Sequence, residues 1–142
     1  MSFTILLVDD DDVAVEAMQR SMINSKVLLP VVVAEDGQVA LDILQNKHPD
    51  KTIRLPYIVL LDINMPRMDG FEFLDAIRAD PILKPTIVFM LTTSGLDSDR
   101  ARAYDKNIAG YLVKSSVGEQ FKYLFALLQD YCAAVRPPPL VE

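Results

Sequence analysis

Acidic side chains stand at the ends of two apolar runs, and these carboxylates are the groups in the chain best suited to chemistry. The run from Ile58 to Leu61 ends in Asp62, and the run from Phe3 to Val8 ends in Asp9 and Asp10. Short runs of this composition predict strands that are buried on both faces. The ligand crevice of an open parallel sheet lies at the carboxyl ends of its strands, so we expect these aspartates to converge there.

Two further strand ends add a hydroxyl and a cation. The strand predicted from Thr86 to Leu91 is followed by Thr92, and the strand predicted from Gly110 to Val113 is followed by Lys114. Carboxylates with a backbone carbonyl suit Mg²⁺, an ammonium can hold a phosphate, and a hydroxyl can donate to a phosphate oxygen. One carboxylate then remains to attack phosphorus and form an acyl phosphate. Together the four strand ends predict phosphoryl chemistry.

The elements that position these residues alternate regularly. A strand at Val31–Ala34 completes a set of five, and helical patterns follow the strands at 13–25, 39–47, 70–80, 97–106 and up to about residue 131. This alternation predicts an α/β fold in which a doubly wound, five-stranded parallel sheet is connected by right-handed crossovers.

Three helices carry predicted local features. Asp12 is the predicted N-cap of the first helix, and Ser116 with Glu119 forms a predicted capping box for the fifth. The fourth helix is unusually polar, with an inward face of little more than Ala101 and Tyr104. A helix with so few apolar contacts beside the crevice is a candidate mobile element.

Composition excludes several classes of protein. The chain has 142 residues, which fits one domain over 1–132 with a proline-rich arm over 133–142. Its net charge is −6 and no basic cluster is present, so we expect no nucleic-acid partner. No signal peptide and no apolar run of membrane-spanning length is found, which predicts a cytoplasmic protein without a membrane partner.

Four motifs carry a resemblance to a known family. They are Ile5–Asp10 (ILLVDD), Leu61–Gly70 (LDINMPRMDG), Leu91–Thr93 (LTT) and Gly110–Lys114 (GYLVK). Jointly they resemble the receiver domain of two-component response regulators, which has a (βα)5 flavodoxin-like fold. The resemblance covers Phe3 to about Tyr131.

The resemblance implies a role for each matching residue. Asp62 would be the phospho-acceptor and a ligand of Mg²⁺. Asp10 would bind the metal directly, Asp9 would act through water or as support, and Asn64 would give its backbone carbonyl. In the same way, Thr92 would bind the phosphoryl group and Lys114 would pair with it. Tyr111 would be an aromatic switch that turns inward on phosphorylation, although its position alone also suits an ordinary strand aromatic.

One departure from the family separates this chain from most receivers. They follow the lysine with a proline in a cis peptide, whereas Lys114 is followed here by Ser115. This pair, the Thr92–Ser94 run and the extended tail look like small single-domain regulators that partner bacterial phytochromes. The resemblance therefore implies a stand-alone regulator that accepts a phosphoryl group from a sensor histidine kinase and signals by conformational change and protein–protein contact.

A homodimer is also expected. The apolar stripe of the fifth helix is longer than packing on one sheet face requires, and the arm that follows it is extended and proline-rich. We therefore predict pairing through the fifth helix, with each arm crossing the partner.

Three other functions stay open at this point. A Mg²⁺-dependent phosphohydrolase with an aspartyl-phosphate intermediate resembles this chain, but such enzymes place a second aspartate where Asn64 stands. A phosphorelay intermediate would pass its phosphate to another histidine. A flavodoxin-like cofactor binder would need a Gly-rich loop after the first strand, where the sequence has four acids instead.

Overall fold

The computed structural model describes residues 3–139, in which five strands alternate with five helices. The strands are β1 (Thr4–Val8), β2 (Val31–Ala34), β3 (Tyr57–Leu61), β4 (Ile87–Thr92) and β5 (Gly110–Val113). The helices are α1 (Asp12–Asn24), α2 (Gly37–Leu44), α3 (Gly70–Ala79), α4 (Asp97–Asp105) and α5 (Lys122–Ala134). Two short 3-10 turns, Lys114–Ser116 and Glu119–Phe121, join β5 to α5. None of the helices described over 3–139 has the length and apolarity needed to cross a membrane.

All strand pairs are parallel, and the strands lie in the order β2-β1-β3-β4-β5. The predicted α/β fold with a doubly wound, five-stranded parallel sheet is therefore confirmed. The order reverses between β1 and β3, and in such sheets a crevice opens at this point, at the carboxyl ends of the strands.

Two apolar cores lie on opposite sides of the sheet, because successive strand residues point to opposite faces. Leu6 of β1 faces α2 and α3, where Phe73 and Ile77 are fully buried. Its neighbour Ile5 faces the other side, with Leu124 of α5. Helices thus cover both faces of the sheet, as a parallel sheet requires.

The cap of α1 differs from the prediction. Asp11, not Asp12, is the N-cap, and its Oδ1 accepts the N–H groups of Val13 and Ala14 at 3.1 and 3.2 Å. From this position one carboxylate reaches two otherwise unpaired N–H groups. Asp12 becomes the first helical residue, where its charge favours the helix dipole.

The predicted capping box of Ser116 and Glu119 is wrong. α5 begins after Phe121, whose side chain makes no capping hydrogen bond. Gly118 has a φ of 83° and redirects the chain between the two predicted residues, so they cannot share the first turn of one helix. The structure has a capping box at α3 instead, where Asp69 and the glutamate three residues later bond reciprocally.

α4 packs through a different face from the one predicted. Ala103 is fully buried, whereas Ala101 is exposed and Tyr104 keeps 48% of its surface in solvent. Polar contacts set this rotation of the helix: Ser94 Oγ donates to Asp99 Oδ2 at 2.6 Å, and the residue at 106 pairs with α3. Positions 99 and 103 lie one turn apart on the same face of α4, and position 106 follows the last residue of the helix, so these contacts turn Ala103 inward.

The apolar stripe of α5 packs within its own chain. Leu124, Phe125 and Leu128 are buried, and Phe121 and Tyr131 pack against the same core. The stripe is therefore no longer than its own core requires, which corrects the premise drawn from the sequence.

The proline-rich arm lies at the amino end of the sheet. Arg136 to Pro139 line a groove of about 580 Å³ together with apolar side chains that include Leu55 and Ile82, from the loops before β3 and β4. Residues Leu140 to Glu142 of the predicted arm lie outside the described residues. The described part of the arm is thus at the opposite end of the sheet from the acidic strand ends.

β2 forms one edge of the sheet, and this edge carries a lysine. Lys51, from the loop before β3, donates from its ammonium to the carbonyl oxygen of Val33 at 2.6 Å. A positive charge on an edge strand discourages pairing with another strand.

Candidate functional site

β1 ends directly in the acidic run. The N–H of Asp9 donates to the carbonyl oxygen of Ala34 at 3.1 Å, which continues the pairing with β2. Asp9 is buried, with 5% of its surface exposed, and its Oδ1 accepts the N–H of Asp11 at 2.9 Å. Asp10 is exposed. The end of this strand thus presents one buried and one exposed carboxylate.

Asp62 lies beside these residues because β3 and β1 are neighbours. Its N–H donates to the carbonyl oxygen of Val8 at 3.0 Å, and its Oδ1 accepts the N–H of Ile63 at 2.7 Å. One carboxylate oxygen from each of Asp9, Asp10 and Asp62 lies within 4.8 Å of the others. The sheet therefore brings together the three aspartates that the sequence singles out.

Lys114 follows β5 and reaches across two of these carboxylates. Its Nζ donates to Asp9 Oδ2 at 2.7 Å and to Asp62 Oδ2 at 3.3 Å. An ammonium between two carboxylates offsets their mutual repulsion, which allows both to lie in the crevice. Within residues 3–139 the one cis peptide bond is Leu55–Pro56, so the bond between Lys114 and Ser115 is trans.

Burial and pairing act in opposite directions on the ionisation of these groups. Burial raises the pKa of Asp9, and although hydrogen bonds from Lys114 and from the N–H of Asp11 act against it, the pKa stays above its usual value. Burial alone would lower the pKa of Lys114, but the hydrogen bond to Asp9 and the charge of Asp62 outweigh it and raise the pKa. The pairing thus favours the charged form of Lys114, whereas burial disfavours the charged form of Asp9.

The donor set fits a small divalent cation. Carboxylate oxygens are the ligands that hard cations such as Mg²⁺ prefer, and one oxygen from each of three carboxylates is within reach. When all groups are ionised, three carboxylates and one ammonium leave a net charge of minus two at this site. A divalent cation would balance that charge.

Thr92 and Tyr111 both contact the loop that follows β4. Thr92 is fully buried, and its Oγ1 accepts the N–H of Ser94 at 3.3 Å. The hydroxyl of the half-buried Tyr111 donates to the carbonyl oxygen of the same serine at 3.0 Å. Ser94 also bonds Asp99, as described above, and so connects β4, β5 and α4. The role of Ser94 in connecting these elements was not predicted from the sequence. The feature of the sequence that could have indicated it is a hydroxyl side chain two residues after Thr92.

The loop after Asp62 carries the predicted backbone ligand. Asn64 lies exposed in this loop. Gly70 closes the loop, because its N–H donates to the carbonyl oxygen of Ile63 at 2.8 Å. A Cβ atom at Gly70 would collide with the carbonyl oxygen of Asp62. The Asp-Gly pair was visible in the sequence, but this close approach of two backbones was not.

Comparison with known proteins gives one family. The family described as "Response regulator receiver domain" matches residues 5–124. Response regulator Rcp1 of Synechocystis sp. is 33% identical over 125 residues, which are 88% of this chain and 83% of Rcp1. The probable methanogenesis regulatory protein FilR2 of Methanothrix harundinacea is 38% identical over 77 residues, 54% of this chain and 50% of FilR2. The alignment with FilR2 therefore covers about half of the length of FilR2.

Solved structures share the fold over nearly the whole chain. The Mn²⁺-bound form of Rcp1 superposes with a TM-score of 0.82 at 29% identity and covers 96% of this chain and 99% of its own. The phosphorylated cyanobacterial phytochrome response regulator RcpA has a TM-score of 0.80 at 29% identity. The match covers 98% of this chain and 100% of the RcpA chain. These matches do not favour a phosphohydrolase or a cofactor-binding flavodoxin. The chain is a member of the response regulator receiver domain family of two-component systems, close to the phytochrome response regulators.

Proposed function

We propose that Asp62 accepts a phosphoryl group from a sensor histidine kinase, and that the modified chain signals through altered contacts with other proteins. The observation that carries this proposal is the convergence of Asp9, Asp10, Asp62 and Lys114 at one end of the sheet. Three carboxylates are more than a structural cap needs, and the charged lysine between them is placed to receive an anion.

Transfer is proposed to be a direct displacement at phosphorus. Asp62 Oδ1 is already engaged by the N–H of Ile63, so Oδ2, which faces Lys114, is the oxygen assigned to the attack. The new O–P bond forms as the N–P bond of the phosphohistidine breaks, and the imidazole leaves with the electron pair of that bond. Lys114 then pairs with a phosphoryl oxygen in place of Asp62 Oδ2.

Mg²⁺ is the proposed metal. Asp10 and Asp62 would bind it directly, Asp9 would act through water or as support, and Asn64 would supply its backbone carbonyl. When bound, the cation neutralises charge that develops on the transferred group. Support comes from the carboxylate cluster itself and from Rcp1, whose structure is of a Mn²⁺-bound form.

The proposed output begins at Thr92. Its hydroxyl would donate to a phosphoryl oxygen, and its present contact with Ser94 would then change. Because Ser94 also accepts from Tyr111 and donates to Asp99, this change would reach β5 and α4. Tyr111 is the proposed switch, and the face of α4, β5 and α5 is the proposed contact surface for a protein partner.

Intact mass after incubation with acetyl phosphate and Mg²⁺ tests the acceptor. We expect wild type to gain one phosphoryl group and Asp62→Ala to gain none, with no gain when the metal is chelated. Asp130→Asn, an exposed aspartate on α5, is the matched control and should behave as wild type. Equal addition to Asp62→Ala and wild type would refute the assignment of Asp62.

A bacterial phytochrome kinase is the proposed donor in the cell, and the cytoplasm is the proposed location of the transfer. The similarity to RcpA, a phytochrome response regulator, supports this choice. A phytochrome kinase loaded with labelled phosphate should transfer it to this chain much faster than a kinase of another sensor class does. Equal transfer rates from both kinases would contradict the pairing.

A homodimer is proposed on the arm alone, since the stripe of α5 is accounted for by its own core. Pro138 and Pro139 of the arm are exposed, and they line the groove beside Leu55. Light scattering of the full chain at tens of micromolar, with and without phosphorylation, measures the mass directly. A monomer under both conditions would rule the dimer out.

A further inference from the structure

Two contacts fasten the loop after Asp62 to the start of α2. Arg67 Nε donates to Asp36 Oδ2 at 2.8 Å, across 31 residues of sequence. The N–H of Gly37 donates to the carbonyl oxygen of Met68 at 2.9 Å. We call these four residues, Asp36, Gly37, Arg67 and Met68, the α2 latch. The latch joins one charged contact and one backbone contact at neighbouring positions.

Asp36 is suited to this contact by its burial and its second bond. The residue is 3% exposed, and its other oxygen, Oδ1, accepts the N–H of Val39 at 2.9 Å as the N-cap of α2. A buried carboxylate needs a counter-charge, and Arg67 supplies it. Each oxygen of Asp36 therefore has a defined partner, one in α2 and one in the loop.

Gly37 makes the backbone contact possible. A Cβ atom built on Gly37 would lie 2.5 Å from the carbonyl oxygen of Met68, which is closer than real Cβ contacts come. A glycine at this position lets the first residue of α2 touch the loop. The close approach and the ion pair hold the same two chain segments together.

The loop contains a residue with an uncommon backbone conformation. Arg67 has a left-handed φ of 63°, which is uncommon for a residue with a side chain. Such conformations persist where surrounding contacts fix them, and they are found at functional sites. Here the α2 latch fixes the loop at Arg67 and Met68, while Gly70 fixes its far end against Asp62 and Ile63.

We propose that Arg67 is a positioning residue for the cation site, because its pairing with Asp36 holds the loop that carries the backbone carbonyl of Asn64. The inference rests on the proposed function, in which that carbonyl is a metal ligand. Arg67 contacts none of the reacting groups and acts through the backbone three residues away. Removal of a contact that orients a metal ligand typically weakens metal binding by about 10- to 100-fold.

Metal affinity of the full chain is the direct test. Mn²⁺ is the probe, and its free concentration is followed by electron paramagnetic resonance in wild type, Arg67→Met, Asp36→Asn and the double variant. Asn at 36 keeps the N-cap and loses the charge. We expect each single variant to bind Mn²⁺ about tenfold more weakly, and the double variant to bind no more weakly than either, because both remove one contact. Arg67→Lys keeps the charge and should recover part of the affinity.

A matched control separates positioning from a general loss of stability. Arg20→Met makes the same substitution at a similarly exposed arginine, which pairs with Glu16 on the surface of α1. It should leave the affinity unchanged. Urea unfolding midpoints show under which conditions every variant is folded, and the Mn²⁺ affinities are compared under those conditions. Wild-type affinity in Arg67→Met, or additive losses in the double variant, would overturn the inference.

Asp10→Asn distinguishes this inference from the proposed function. Loss of Mn²⁺ binding in Asp10→Asn, with wild-type binding in Arg67→Met, would reject the latch and leave the cation site standing. No binding by wild type would reject the cation site and the latch together.

Discussion

Lys114 pairs with both Asp9 and Asp62. A substitution of this one side chain should therefore affect cation binding and phosphoryl acceptance differently. In Lys114→Met the positive charge that competes for these carboxylates is gone, so Mn²⁺ should bind at least as tightly as in wild type. Phosphorylation by acetyl phosphate should slow by about 10²- to 10³-fold, because Lys114 is the proposed charged donor to the transferred group. Mn²⁺ titration and the rate of mass gain measure the two effects. A parallel loss of both would contradict this division of roles.

Gly70 is a residue whose lack of a side chain matters. In Gly70→Ala the new methyl group meets the Asp62 carbonyl oxygen and, at 3.0 Å, the Cα of Ile63. Because both are backbone atoms, the strand end has to move, and we expect a loss of about 1–3 kcal/mol in the free energy of unfolding. Gly95→Ala is the matched control, since no neighbouring atom of residues 3–139 lies within 4 Å of a Cβ added there. Urea unfolding compares them, and equal stability of the two variants would show that the loop adapts.

At the scale of elements, α4 is held to its neighbours largely by polar contacts. Arg102 lies over the ring of Phe71 at 4.1 Å, and Lys106 pairs with Asp75. Ala103 is its buried residue. Water replaces polar contacts of this kind more readily than it replaces an apolar face, so the mobility of α4 stays a prediction, now based on a different set of contacts.

Arg78 of α3 connects the elements on either side of α4. Its guanidinium donates to the carbonyl oxygens of Lys84 and Thr86, before β4, and of Lys106 and Asn107, after α4, at 2.6 to 2.9 Å. Burial lowers the pKa of Arg78, although the group stays charged. Arg78→Met removes the donors of four carbonyl oxygens, some of which water can satisfy.

We therefore expect Arg78→Met to lower the free energy of unfolding by about 2 kcal/mol. Urea unfolding measures it. Arg20→Met, which breaks an exposed ion pair with Glu16, should change stability by less than about 0.5 kcal/mol. A loss in Arg78→Met no larger than in this control would mean that solvent replaces the arginine.

The elements and the acidic site were predictable from the sequence for a physical reason. Buried parallel strands read as continuous apolar runs, and the polar residue that ends each run marks the crevice. Asp62 and Lys114 were found in this way. The capping of α5 and the buried face of α4 were not predicted correctly. They depend on the backbone conformation of Gly118 and on the contact of Asp99 with Ser94, which only the folded structure shows. The α2 latch escaped notice because nothing local pairs Asp36 with Arg67.

The stability of the whole molecule should depend on pH through Asp36. Burial raises the pKa of this carboxyl, but the hydrogen bonds from Arg67 and from the N–H of Val39, with the charge of Arg67, outweigh it and hold the pKa below its usual value. An acid with a lowered pKa in the folded state stabilises that state above its unfolded pKa. The contribution is lost as the pH falls through the folded pKa.

The difference in free energy of unfolding between wild type and Asp36→Asn should therefore be constant near neutral pH and shrink below about pH 4. Urea unfolding at a series of pH values measures it. Asp130→Asn, at an exposed position on α5, is the matched control. A difference that grows toward acid would mean that Arg67 does not stabilise the charged carboxylate.

The lysine on the edge of the sheet has a consequence for the behaviour of the protein at high concentration. A second molecule that added a strand along β2 would have to displace the Lys51 ammonium from the Val33 carbonyl and lie against its charge. Growth of ordered aggregates by strand addition at this edge is thereby disfavoured, so concentrated solutions should resist fibril formation along β2. Lys51→Ala would uncover the carbonyl and remove that protection.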